Sequence, residues 1–352
     1  MPPLAYVADR HTKATLAETP SLSRNNLTAG PSLLGVVHNA QTLMVPVARA
    51  LAGDAVEKLP IFTKDGNREI FQAKVVVLGA DVFFVLCTAT RVLVYDQKGY
   101  MLRHSRAVPG SPSAVAGPSG EFSLVNHARG VCSACSADAR AFVCVGTARG
   151  SVLVVEYDGA RFADAAELDV GHDAPLADLA SEVDSHRGAA PPGAAAPKPF
   201  LASGDEAGQV VVWNARSADR FEPSFSVRVG APVAALGARG DAVIVADVSG
   251  VVSFVGLTSQ RVFCEMQAHS RYLSAMDVHP TRDAFATCAE DGTLAVWGMP
   301  SEGGAGEAGK DPTCAFADAW EDGMLTGVAF CGEGWDCLAV VAHDETELRV
   351  YQ

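Results

Sequence analysis

The chain has 352 residues, 49% of them hydrophobic and 19% charged, with 27 Lys and Arg against 41 Asp and Glu and a formal net charge of −14. A chain of this size and apolar content builds a core without disulfide or metal staples, and so few charges exclude disorder throughout. The acidic balance, with no stripe of Lys and Arg against it, argues against nucleic acid or an anionic membrane surface as a partner.

The first twenty residues, MPPLAYVADRHTKATLAETP, hold no apolar run of signal-peptide length, because Asp9, Arg10 and His11 interrupt it. They read as a flexible lead, 1–20, to one folded unit over 21–352. Asn26–Thr28 spells a glycosylation sequon, silent without a secretory route. The longest apolar region, Val75 to Thr90, is too short to span a bilayer and carries Asp81 in its middle. Two strands joined at Gly79–Asp81 explain it better, so no transmembrane segment and a cytoplasmic location are expected. The nine cysteines are odd in number, and Cys87, Cys144, Cys264 and Cys288 lie inside apolar runs. They read as small buried hydrophobes in a reducing compartment.

Helical periodicity is weak, whereas short β-branched runs punctuated by Gly, Asp and Pro recur along the whole chain. The recurring unit is an apolar run, a tight turn and a second apolar run. A degenerate copy, SLLGVVHNAQTLMVPV, comes first, near Val45. FFVLCTATRVLVYD follows and reaches Tyr95, with Thr90 at the turn. AFVCVGTARGSVLVVE, PFLASGDEAGQVVVWN, DAVIVADVSGVVSFVG and DAFATCAEDGTLAVWG reach Val155, Trp213, Val255 and Trp297. Each has a glycine five residues earlier, Gly150, Gly208, Gly250 and Gly292, which suits the positive-φ position of a two-residue hairpin turn. CLAVVAHDETELRVYQ closes the series at Tyr351.

Trp213, Val255 and Trp297 stand 42 residues apart, the period of a four-stranded propeller blade. The longer intervals are stretched by Pro/Gly/Ala/Ser-rich segments at 107–120, 184–199 and 301–312, expected as exposed loops. The seven units predict an all-β, seven-bladed propeller whose sheets bury both faces against their neighbours. The last unit ends on its third strand, so the N-terminal segment around residues 21–28 is expected to supply the fourth and close the ring.

AHSRYLSAMDVHPTRDAFATCAEDGTLAVWG and GHDAPLADLA…FLASGDEAGQVVVWN resemble the WD40 repeat, the first with Ala-His in place of Gly-His. The resemblance implies a structural network of His269, Thr287, Asp291 and Trp297, with His172, Ser203 and Trp213 in the other clear copy. There Ala207 stands where the turn Asp would be, which leaves that network incomplete or filled by Asp205 or Glu206. A buried indole needs an acceptor, a Thr hydroxyl can accept and bond onward to imidazole, and a carboxylate then fixes the ring tautomer. Thr287, His269 and Asp291 are also the residue types of a nucleophile–base–orienter triad. A strand Thr with no nucleophile elbow beside it favours the structural role.

The resemblance further implies a non-catalytic protein-interaction scaffold, with other proteins as partners and no cofactor. Trp213–Arg216, WNAR, resembles the tail of the box by which some WD40 proteins dock on the adaptor of cullin-4 ubiquitin ligases, which makes Arg216 a candidate partner-binding residue. Cys132–Cys135 has CxxC spacing without a second ligand pair, and the acidic turn 343–347 reads as solvated. No metal site and no convergent set of carboxylates or histidines is expected.

Overall fold

The computed structural model describes residues 6–8, 10–55, 60–62, 69–97, 101–110, 126–169, 171–187, 197–217, 220–303 and 309–352. Their strands form seven four-stranded sheets. The inner strands are Leu27–Ala29, Ile70–Leu78, Ala128–Cys135, Leu176–Ala180, Val233–Arg239, Leu273–Val278 and Leu325–Cys331. Each packs against the inner strands on both sides, so the sheets stand as seven blades around one axis. The apolar side chains of adjoining blades interleave. Val143 and Val155 pack with Val85 of the preceding blade, while Cys144 and Val154 pack with Leu201 and Val211 of the following one. Burial on both faces is why these strands are continuously apolar rather than alternating.

Ring closure uses the N-terminus at a different place from residues 21–28. The fourth strand of blade 7 is His11–Thr15, antiparallel to Glu347–Tyr351 with His11 opposite Tyr351 and Thr15 opposite Glu347. It lies inside the 1–20 segment expected as a flexible lead, and Ala14 and Leu16 are buried among Leu348, Val350 and Leu27. Residues 27–29 are the inner strand of blade 1, and a segment at the axis cannot also be the outer edge of a neighbouring blade.

In blades 4, 5 and 6 the turn between second and third strands holds three residues rather than two, at Asp205–Gln209, Asp247–Val251 and Ala289–Thr293. Gly208 and Gly250 donate backwards to the carbonyls of Asp205 and Asp247 and take φ values of 81° and 85°, a turn followed by a left-handed residue. At Gly250 a Cβ would also meet the His269 carbonyl at 2.3 Å, so two separate constraints select glycine there.

Of the low-complexity stretches, 111–120, 188–196 and 304–308 lie outside the described residues. Residues 184–187 are not an exposed loop. Ser181 caps a short helix, Glu182–His186, by accepting from the Asp184 amide, and the helix turns inward between the inner strands of blades 3 and 5.

Candidate functional site

The two sequence-predicted networks sit at the blade edges. The Trp297 indole donates to Thr287 Oγ1 at 2.9 Å, and His269 Nε2 meets the same hydroxyl at 2.8 Å. On the other ring nitrogen, Thr293 Oγ1 is at 2.9 Å and Asp291 at 3.4 Å. Asp291 mainly accepts the Ser270 and Thr293 amides, at 2.9 and 3.0 Å. In blade 4, Trp213 donates to Ser203 at 2.8 Å, and His172 bridges Ser203 at 2.7 Å to Asp205 at 2.8 Å. Asp205 therefore takes the place that Ala207 leaves vacant. Burial lowers the pKa of both imidazoles, against the pull of Asp205 on His172 and of Asp291 on His269. Neutral rings suit a chain in which one nitrogen donates and the other accepts. Thr287 and Ser203 are fully buried, and each hydroxyl oxygen is held between an indole and an imidazole.

The face carrying the glycine turns, the turn face, and the opposite face close the axial channel in different ways. On the opposite face, the helix Glu182–His186 and Arg187 plug it. Asp184 pairs with Lys74 of blade 2 at 2.6 Å and accepts the Ser133 amide of blade 3 at 3.0 Å. Arg187 reaches across the ring to pair with Asp277. It donates to the carbonyls of Ala29, Phe330 and Val278 at 3.2–3.3 Å and stands 4.9 Å from the Trp335 ring centre. Burial pulls the Lys74 ammonium down, but the carboxylates of Asp184 and Asp178 outweigh it and raise its pKa overall. Burial also raises Asp178, whose Oδ2 accepts the Leu236 amide at 2.9 Å. Only about 60 Å³ remains open among these side chains. The convergent charged set absent from the sequence reading thus exists, but Lys74 and Asp184, and Arg187 and Asp277, are spent on one another.

At the turn face the channel opens into a basin of about 680 Å³. The segment before blade 1 crosses it: Arg24 donates to the Val233 carbonyl at 3.1 Å and pairs with Glu206 at 2.7 Å. Asn25, in a left-handed conformation at φ 51°, exchanges backbone and side-chain bonds with Ser274 and Met276. Phe71, Arg129 and Tyr272 line the wall, and Leu22, 63% exposed, stands on the rim. Phe71 stacks on His127 with ring centres 4.3 Å apart.

Of the remaining candidates, Arg216 and the Cys132–Cys135 pair line neither region, whereas the acidic turn 343–347 reaches the basin through His343 and Asp344. Arg216, with a 65% exposed side chain, lies near the end of the third strand of blade 4, Gln209–Ser217, and meets Glu222 at 3.4 Å. Cys132 and Cys135 lie three apart on one strand, which turns them to opposite faces of the sheet; Cys132 is buried opposite Cys144. In the acidic turn, Glu347 is taken up by Arg349 at 2.6 Å and Lys13 at 3.1 Å. Among the described residues no three His, Cys, Asp or Glu side chains are grouped to hold a metal, and no helix is long and apolar enough to cross a membrane.

Seven four-stranded blades, ring closure between the chain's two ends, and Trp–Ser/Thr–His networks at the blade edges define a WD40-type β-propeller. One solved relative in fold is a chain of the structure titled "Crystal Structure of Mitotic Checkpoint Complex", with a TM-score of 0.69 and 15% identity over 99% of this chain and 92% of that one. The model of the WDR54 family matches residues 10–352, and the chain belongs to that family. Its relatives include WD repeat domain 54 of Rattus norvegicus, 24% identical over 89% of this chain and 88% of that protein. WD repeat-containing protein 54 of Homo sapiens is 24% identical over 90% of this chain and 88% of its own length.

Proposed function

We propose that this protein is a non-catalytic scaffold for protein–protein interaction, acting in the cytoplasm without cofactor or nucleic acid. Membership of a WD repeat family and the propeller fold support the general reading. The observation that carries it is the contrast between the two ends of the channel. One end is filled by paired charges, while the other is a wide basin rimmed by exposed and aromatic side chains. A rigid ring presenting such a concavity suits recognition of a protruding segment. The non-catalytic part rests on the Thr and Ser hydroxyls, each already held between an indole and an imidazole, which gives His269, Thr287, Asp291, Trp297, His172, Ser203 and Trp213 a structural role. Proximity labelling in cells with wild type and with basin-rim variants tests the reading. A partner set that depends on the rim is expected, and a set unchanged by every rim variant would remove the basin as the binding face.

Docking on a cullin-4 ligase adaptor is a second reading, favoured only by the exposure of Arg216. Trp213 of the same box is fully buried, so Arg216 would carry the contact. Adaptor recovered by wild type but not by Arg216→Ala supports it; equal recovery ends it.

A further inference from the structure

In six blades an inner-strand residue pairs with the last residue of the second strand. Ile70 faces Thr88 and Ala128 faces Thr147; Leu176 faces Asp205 and Val233 faces Asp247; Leu273 faces Ala289 and Leu325 faces Ala342. In five of the six the next residue along falls at a bulge, the device that re-aims a side chain at the rim of a closed sheet; in blade 3 it still pairs with Gly146, and the bulge follows at Gly130. The six residues next along are Phe71, Arg129, Ala177, Ala234, Ser274 and Thr326. Four of them, Phe71, Arg129, Ser274 and Thr326, line the turn-face basin. Arg129 alone of the six carries a charge.

Its surroundings do not explain it. The Arg129 guanidinium makes no hydrogen bond and no ion pair with any described residue. Burial, then the like charge of Arg24, push its pKa down to about 10, so it remains a cation at neutral pH. Arg24 has its own carboxylate in Glu206, whereas Asp178 and Glu206 act on Arg129 only at longer range. Tyr272 shares the basin, and its hydroxyl has no hydrogen-bond partner among the described residues. A partly desolvated guanidinium without a partner costs folding free energy, and its planar fork of donors matches two oxygens of one anion.

We propose that the turn-face basin receives one oxyanion, a carboxylate or phosphoryl group carried on a partner protein's chain, with Arg129 as its ion-pair partner and Tyr272 as a hydroxyl donor. That the oxyanion comes on a protein rests on the scaffold reading. The carboxylates of Glu69, Glu290 and Asp344 line the same basin, so flanking acids on the ligand are repelled. The favoured ligand is a single anionic residue among neutral or basic ones, not a polyacidic tract.

The test uses the full chain, with calorimetric titration and melting curves for wild type, Arg129→Met and Arg129→Lys. The probes are inorganic phosphate and short capped peptides centred on phosphoserine, glutamate or glutamine. Wild type is expected to bind a phosphoserine or glutamate peptide and to ignore the glutamine one. Arg129→Met should weaken binding by about tenfold or more, as loss of a charge-assisted pair implies, and Arg129→Lys should retain part of it. Without ligand, Arg129→Met should melt no lower than wild type, because no bond made within the fold is lost. A marked drop in melting temperature would assign Arg129 a structural role and overturn the proposal. So would equal peptide binding by Arg129→Met, no binding of any anionic probe by wild type, or binding of inorganic phosphate alone. If peptide binding fails while proximity labelling still returns rim-dependent partners, the oxyanion site falls and the scaffold reading stands.

Discussion

Replacing Arg187 by alanine should be among the most damaging single changes in the molecule. The guanidinium pairs with Asp277, donates to carbonyls of three inner strands and lies over Trp335. Side-chain exposures of 10% for Arg187 and 19% for Asp277 place the pair where solvent screens it little. Breaking such a pair by removing one partner costs about 3–5 kcal/mol, because the other charge stays behind. Asp277 is partly compensated by the Phe330 amide at 2.7 Å, which pulls the figure toward the lower end. Loss of the cation–π contact adds ~1 kcal/mol, so a total of about 4 kcal/mol is expected. Urea titration would read this as a fall in midpoint at constant slope. Arg187→Met with Asp277→Asn removes both charges and should cost less than Arg187→Ala alone. An Arg187→Ala midpoint within experimental error of wild type would refute the plug as a stabilising element.

Acid should destabilise the fold well above the carboxylate range. Burial, then the charges of Arg282 and Arg187, hold the fully buried His279 down to about 4, and its Nδ1 accepts the Thr281 and Arg282 amides at 3.2 and 3.1 Å. Below pH ~6.5 the unfolded chain binds protons that the folded chain refuses, so stability is full above that pH and declines toward pH 4, by about 3 kcal/mol from His279 alone. His172 and His269 add to the same trend. Denaturant midpoints at successive pH values check it, and a flat profile from pH 7 to 4.5 would contradict it. Asp291→Ala should cost about 1–3 kcal/mol and Asp205→Ala more, because Asp205 is 1% exposed and supports two turn amides besides His172; chemical denaturation ranks the two. Deleting residues 1–16 strips the outer strand from blade 7 and should lower the melting temperature sharply, whereas an unchanged curve would rule out closure by His11–Thr15.

Local patterns carried most of the fold. The Gly-to-Trp spacing located the blades because each blade repeats one turn geometry under one steric constraint, and the His–hydroxyl–indole chain was readable from a few residues of one repeat. Ring closure was legible only as a requirement. HTKAT, at 11–15, is a five-residue edge strand with one buried residue, Ala14, and its partner lies at 347–351. The plug was hidden because DSHRGAAPPG reads as loop by composition, although Ser181 followed three residues later by Asp184 is a helix-start pattern. Lys74, Asp184, Arg187 and Asp277 are isolated charges in sequence and meet only when the ring closes. Arg129 left one trace, a lone cation inside an otherwise neutral inner strand, ARGVCSAC.

Site-specific photocrosslinking in cells tests the central claim most directly. The crosslinker is placed at Leu22 on the basin rim and, as a control, at Ala165, exposed on the outer strand of blade 3. The account predicts discrete protein adducts from Leu22 that are absent from Ala165. Adducts from Ala165 alone, or the same adducts from both positions, would contradict a partner-binding face at the turn-face basin.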